Sequence, residues 1–346
     1  MELEKFRPQS KLVTQSTKVE RPRYPATDAH NHLGELFGGG WEHRPVQELL
    51  DLLDSVGVIR YVDLDGGWGE TLLNAHLDHF KQAAPERFKV FGGVDWSQWN
   101  EKGESFPEWA AGRLRSQKER GAEGLKIWKN LGLQVHDPAG KLVDVDDPRL
   151  DPIWETAGEL GFPIVIHIAD PVAFFDPIDE TNERWEELSE HPEWAFTSPP
   201  FPSFSHIIEG LPRLVARHPR TVFIGAHVGC YAENLAWVGA LLDRCPNFHV
   251  DISARLGELG RQPYTARRFF LQYADRILFG SDMGPDPEGY RIIYRFLETQ
   301  DEYFNYNAAP LPMQGRWYVH GLYLPDDVLV KIYSRNAEKL LGQAHR

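Results

Sequence analysis

The chain has 346 residues, of which 42% are hydrophobic and 25% charged, the balance of an ordinary globular protein with material for a large core. Its 37 basic and 51 acidic side chains leave a formal charge of -14, which opposes a phosphate backbone or an anionic membrane and argues against nucleic acid and lipid as partners. Two cysteines, Cys230 and Cys245, supply neither a disulfide framework nor the paired motif of structural zinc, and read as packed thiols.

Residues 1–23 are polar and mixed in charge, an irregular lead-in without the apolar core of a signal peptide. No stretch approaches the roughly 18 apolar residues of a membrane span, so the cytoplasm is the expected location. From residue 24 to 346 one domain is expected, because short apolar runs followed by helical patterns recur along the whole length. The predicted strands are Ala26 to His30, Ile59 to Asp65, Lys89 to Asp95, Gly124 to Trp128, Pro163 to Ala169, Thr221 to His227, Phe248 to Ser253 and Ile277 to Asp282. Eight parallel strands close a barrel, which makes the predicted class α/β and the predicted fold a (β/α)8 TIM barrel. Helical spacing follows from Pro45 to Val56, Pro148 to Leu160 and Glu233 to Leu242, and Pro325 to Leu341 reads as the closing helix. Two connections exceed a simple turn, Asp170 to Ser205 after the fifth strand and Met283 to Leu324 after the eighth. Their aromatic content points to lids over a site. A doubly wound two-domain protein is the alternative, weakened by the lack of a G-x-G-x-x-G turn after an early strand.

Polar residues close several of these strands. Asp28-Ala29-His30-Asn31-His32 sets two histidines on one face of the first, where both imidazoles can share a cation. His167 closes the fifth strand, His227 the sixth and Asp282 the eighth. The carboxyl ends of parallel barrel strands meet at one rim, so these residues converge there. If Ile164, Ile166 and Ile168 face the helices, as do Val222, Ile224 and Ala226, then His167 and His227 face the axis.

The ordered set "DAHNH", "VIHIAD", "IGAHVG", "ILFGSD" and the terminal "IYSRNAEKLLG" resembles the amidohydrolase superfamily. Within it, the chain looks like the amidohydrolase-2 branch of aminocarboxymuconate-semialdehyde decarboxylase, the resorcylate-type decarboxylases and 2-pyrone-4,6-dicarboxylate lactonase. The resemblance implies that His30, His32, His167 and Asp282 hold one divalent metal, with a position left for water or substrate. Imidazole and carboxylate donors suit Zn2+, with Mn2+, Fe2+ and Co2+ as further candidates. It also implies that His227 stays unligated as a proton shuttle, or orients a ligand. Homodimers are common in the branch, and no nucleic acid or membrane partner is expected.

Lys126 turns inward in "GLKIWK" and reads as a charged barrel residue or substrate contact. In binuclear relatives a carboxylated lysine on this strand bridges two metals, an arrangement that would recruit His167 and His227 to the second. Asp63, Asp65, Asp95 and Asp251 have inward parity and read as hydrogen-bonded supports around the site. Arg255 can grip a substrate carboxylate or form a rim salt bridge. Trp68, Trp96 and Trp128 can line a pocket for a flat substrate or pack in the core. The main functional expectation is a hydrolase, in which metal-activated water attacks an amide, ester or lactone carbonyl of a small, carboxylated substrate, with His227 and Asp282 handling protons. The alternative is non-oxidative decarboxylation of a small aromatic or dienoic carboxylic acid, with His227 protonating carbon. A non-catalytic metal-binding protein is the third reading.

Overall fold

Apolar runs bounded by glycine and polar residues become eight parallel strands in a computed structural model that describes residues 5, 9–309, 312 and 314–342. Parts of the expected lead-in (1–4 and 6–8) and of the expected domain (343–346) lie outside the described residues. The strands are β1 (Ala26–Asn31), β2 (Val58–Asp63), β3 (Phe88–Val90), β4 (Leu125–Ile127), β5 (Ile164–Ile166), β6 (Phe223–Gly225), β7 (Phe248–Asp251) and β8 (Ile277–Leu278). They pair in chain order as two ladders, β1-β2-β3 and β4 through β8. Backbone hydrogen bonds join the ladders at both seams. Lys126 N–H donates to the Gly92 carbonyl at 2.8 Å and Gly92 N–H to that of Gly124 at 3.0 Å, while Ala29 N–H donates to Phe279 at 2.9 Å and Asp282 N–H to His30 at 2.9 Å. β8 can approach β1 this closely because position 280 is glycine: a Cβ there would lie 3.0 Å from that of His30.

Inside the ring, Ala29, Val62, Phe91, Val165, Ile224 and Leu278 form one cluster, closed by Ala337 of the terminal helix. Outside it, Leu125, Ile127, Ile164, Ile166, Phe223 and Val250 belong to the larger core against the helices. Burying each such side chain is worth about 1.5–3 kcal/mol, so the alternation is strongly enforced. Parity is as expected on β4 and β5, with Lys126 facing inward. On β6 it is reversed: Ile224 and Ala226 belong to the inner cluster and Phe223 to the outer. His227 therefore reaches the rim by another route, described below.

The terminal stretch is helical, as expected, through Asp326–Val330, Lys331–Arg335 and Asn336–Leu341. The connection after β8 contains a helix that its length concealed, Pro287–Glu298. Asp286 caps it, accepting from the N–H groups of Glu288 and Gly289 at 3.1 Å each, and its buried Tyr290, Ile293, Tyr294 and Leu297 share one face. The insertion after β5 carries the helix Trp185–Glu190. Arg316 pairs with Glu186, and buried Arg184 with Glu187 and Glu258, tying this insertion to the segment after β8 and to the helix after β7. Among the described residues, no helix is long and apolar enough to cross a membrane.

Candidate metal centre

The end of β1 and the turn after β8 bring His30, His32 and Asp282 together, one donor atom from each lying within 4.8 Å of the others. Asp282 Oδ1 is 3.1 Å from His32 Nε2 and 3.7 Å from His30 Nε2. Each imidazole is held from behind. Asp251 Oδ2 accepts from His30 Nδ1 at 2.8 Å, and Asp65 Oδ1 from His32 Nδ1 at 2.7 Å. A carboxylate on Nδ1 keeps the proton there and leaves the Nε2 lone pair pointing into the site. Asp65 is itself fixed by the N–H groups of Leu33 and Gly34, at 2.9 and 2.7 Å. Asp28 braces the two ligand segments, accepting from Ser281 N–H at 3.0 Å, Ser281 Oγ at 2.6 Å and Tyr290 OH at 2.6 Å.

Two lone pairs and a carboxylate aimed at one buried point fit a divalent cation and are poorly matched without one. The charge balance of the side chains shows the same demand. Although burial opposes it, hydrogen bonds to Asp282 and Asp65 push His32 up to about 9. Against its own burial, the imidazoles of His30, His32 and His227 hold Asp282 well below the usual carboxylate range. Lys126 Nζ stands 3.2 Å from His30 Nε2, supplying positive charge at the mouth of the site, and burial pulls its ammonium down to about 8.

His227 arrives through a turn of left-handed backbone. His227, Val228, Gly229 and Cys230 have φ of 58°, 59°, 67° and 60°. Each non-glycine residue there costs about 1–2 kcal/mol, and Val228, being β-branched, is the most strained. Hydrogen bonds hold the turn, from Cys230 N–H to the Ala226 carbonyl at 2.8 Å and from His227 N–H to Asp251 Oδ1 at 3.0 Å. The kink aims His227 Nε2 at Asp282 Oδ2, 3.7 Å away, with Nδ1 hydrogen-bonded to the Ser253 carbonyl at 3.0 Å. Asp282, at φ 56°, is the second strained residue of the centre. Burial, helped by the charge of Arg255, keeps the His227 imidazole well below its ordinary range.

His167 lies beside this group but outside the trio. Its ring meets that of His227 edge to face at 4.5 Å, while Nε2 faces Asp170 Oδ1 at 3.3 Å, and Lys129 pairs with the same carboxylate. Burial brings His167 down to about 4. Trp128 stacks on His32 at 5.3 Å and on Trp68 at 4.0 Å, continuing to Phe37. Gly67 makes room for it, since a Cβ there would fall 2.6 Å from Trp128 Nε1. Arg255 is 5% exposed and forms no salt bridge among the described residues; its guanidinium donates to the Ala254 carbonyl at 2.9 Å.

Three of the expected residues, two supports and one aromatic, do not reach the trio directly. Trp96 packs against Trp99 and Phe106. Asp95 is exposed and caps the turn at Ser97. Asp63 bonds His76 Nδ1 at 2.6 Å, from the helix Glu70–His76, while its neighbours Val62 and Leu64 take the inward positions. Sequence reasoning missed Asp170, for which the His-x-x-Asp spacing in "HIAD" was an available signal. It also missed Ser253, whose Oγ lies 3.1 Å from His30 Nδ1 and 2.9 Å from His227 Nδ1, and Phe37; neither had a motif to mark it.

The amidohydrolase profile Amidohydro_2 matches residues 28–343. The chain belongs to the amidohydrolase family. That family is metal-dependent and acts on small molecules, as the motif order implied. No curated protein matches the sequence. Solved structures share the TIM-barrel fold at low identity. 2,6-Dihydroxybenzoate decarboxylase from Rhizobium is 18% identical with a TM-score of 0.56, over 92% of this chain and 99% of that one. 5-Carboxyvanillate decarboxylase from Sphingomonas paucimobilis is 16% identical with a TM-score of 0.52, over 85% and 82%. A dihydroxybenzoic acid decarboxylase from Polaromonas sp. JS666, with bound manganese and the inhibitor 2-nitroresorcinol, is 18% identical with a TM-score of 0.53, over 86% and 85%.

Proposed function

We propose that this amidohydrolase is a metal-dependent, non-oxidative decarboxylase of a small aromatic or dienoic carboxylic acid. The observation that carries the reading is Arg255: a buried guanidinium close to His227 that forms no salt bridge among the described residues, its hydrogen bond going to the Ala254 carbonyl and its charge reaching Glu187, Glu233 and Glu258 only at longer range. A buried charge is costly unless matched, and the guanidinium fork matches a carboxylate, so an acid is the anion it fits. Hydrolysis of a carboxylated substrate would use the same grip. The choice between reactions moves to decarboxylation because similar folds are named as decarboxylases of hydroxylated benzoic acids.

His30, His32 and Asp282 would hold the metal, with His167 as the further candidate ligand beside them. A divalent cation held there would supply Lewis acidity to the acid bound beside it. Zn2+ is the ion the donors favour, with Mn2+, Fe2+ and Co2+ as alternatives. Arg255 orients the carboxylate, and the Trp128–Trp68 stack offers a flat wall to the ring. The bond from the ring carbon to the carboxylate breaks, its electron pair stays on the ring carbon and takes a proton, and carbon dioxide leaves. His227 Nε2, which faces Asp282, would relay that proton, first taking it from solvent water and then passing it to the ring carbon, while the Nδ1 proton remains on the Ser253 carbonyl.

The test is incubation of metal-loaded protein with 2,6-dihydroxybenzoate and related hydroxylated benzoates in deuterated water. Release of carbon dioxide with one deuterium on the product ring supports the reading. Absence of carbon dioxide from every acid, together with solvent oxygen-18 in the product of a lactone or amide, overturns it in favour of hydrolysis.

A further inference from the structure

A cavity of about 290 Å³ opens beside Asp282 and runs beneath both insertions. It is about twice the roughly 150 Å³ of an apolar cavity that accommodates benzene, so it has room for more than one ring. Trp194 comes from the insertion after β5, Ile252 and Leu256 flank the end of β7, and Met283, Ile292 and Tyr306 follow β8. The acidic groups in the wall are Glu187, Glu190 and Asp286 besides Asp282; none of the described lining residues is a lysine or arginine, and the lining His191 already faces Glu193 at 3.2 Å. Glu187 is matched by Arg184 at 2.7 Å, and Asp286 is engaged in capping the helix Pro287–Glu298. Ala254, whose carbonyl accepts from Arg255, lines the cavity, and the Arg255 charge reaches Glu187 in its wall.

Anion recognition and apolar recognition are thus separated. Arg255 and Lys126 act on His227 and His30, and neither lines the chamber beyond Asp282, which is apolar with an acidic margin where Glu187 lies within reach of the Arg255 charge. We propose that the substrate is a monocarboxylic acid with a second, apolar limb of about one ring that occupies this chamber, and that acids with a further carboxylate on that limb are excluded. This inference rests on the acid-binding reading above. An apolar limb is favoured in proportion to the area it takes from water. A carboxylate placed there would lose hydration, gain no cation and face the carboxylates of Glu190 and Asp286.

Calorimetric titration of the metal-loaded protein with benzoate, biphenyl-3-carboxylate, biphenyl-4-carboxylate, isophthalate and terephthalate tests the proposal without requiring turnover. The better biphenyl acid should bind about tenfold or more tightly than benzoate, and both dicarboxylates about tenfold or more weakly. Ile292→Trp and Leu256→Trp, which fill the chamber from the helices after β8 and β7, should each remove the biphenyl gain and leave benzoate within about twofold. Biphenyl acids no tighter than benzoate, or dicarboxylates as tight as benzoate, would overturn the chamber assignment and leave the decarboxylation reading intact. Failure of every acid to bind, benzoate included, would overturn both.

Discussion

Replacing Asp251 by asparagine should weaken metal binding although Asp251 is not itself in the trio. Its Oδ1 accepts from His227 N–H at 3.0 Å, Ser253 N–H at 3.1 Å and Ser253 Oγ at 2.5 Å, whereas Oδ2 accepts from His30 Nδ1 at 2.8 Å. An asparagine keeps one acceptor, and three donors on the Oδ1 side hold its oxygen there. The amide NH2 then faces His30 Nδ1, donor against donor, and the imidazole can relieve the clash by moving its proton to Nε2. That consumes the lone pair needed for the cation. Loss of such an outer partner typically costs 10–100-fold in metal affinity, about 1.4–2.8 kcal/mol, and the tautomer switch places this variant toward the upper figure. Competition with a chromophoric chelator measures the affinity, and thermal unfolding of the metal-free proteins separates it from any general loss of stability. Asp95→Asn is the control, because that carboxylate is exposed and caps a local turn. An Asp251→Asn affinity within about twofold of the parent would refute the tautomer argument, as would an undiminished effect in a His30→Ala background.

The double variant His30→Ala, His32→Ala should retain no stoichiometric metal after dialysis, as measured by elemental analysis; full retention would contradict the assignment of the trio. His227→Asn should keep its metal and lose turnover on any acid the parent converts, whereas loss of metal as well would promote His227 to ligand. Arg255→Met should fold with a modest drop in thermal midpoint, since it breaks no salt bridge and loses only longer-range attraction to Glu187, Glu233 and Glu258, and should bind benzoate about 10–100-fold more weakly by titration. Metal-free protein should also lose stability as pH rises. His32 is raised from 6.5 to about 9, so its protonation stabilises the fold fully below 6.5, and that contribution, on the order of 3 kcal/mol, disappears as pH climbs through about 9. Denaturant titrations across this window should show the decline in metal-free protein and its absence after metal loading, where the cation replaces the proton.

Most of the barrel was legible because parallel strands buried on both faces leave short apolar runs, and their polar last residues mark the rim. Lys126, Ile164 and Ile166 obey strict alternation, and parity places them correctly. His227 is a different case. It reaches the site only because residues 227–230 adopt left-handed backbone, a conformation that composition does not announce and that hydrogen bonds to Asp251 and Ala226 maintain. The same limit applies to Asp63, which pairs with His76 across a helix that no motif connects to β2. Trp68 and Trp128 stack together beside His32, whereas Trp96, alike in sequence position, takes the packing alternative in a separate aromatic cluster. The helix Pro287–Glu298 was hidden inside a span judged by its length, although the Asp286-Pro287 start was a usable signal.

The central claim is a single divalent-metal centre built on His30, His32 and Asp282. Elemental analysis of protein purified without added metal, repeated after reconstitution, tests it most directly. The account predicts about one zinc or manganese ion per chain, lost in the His30→Ala, His32→Ala variant. About two ions per chain would bring Lys126, His167 and His227 into a binuclear centre, and none after reconstitution would contradict the metal-dependent account altogether.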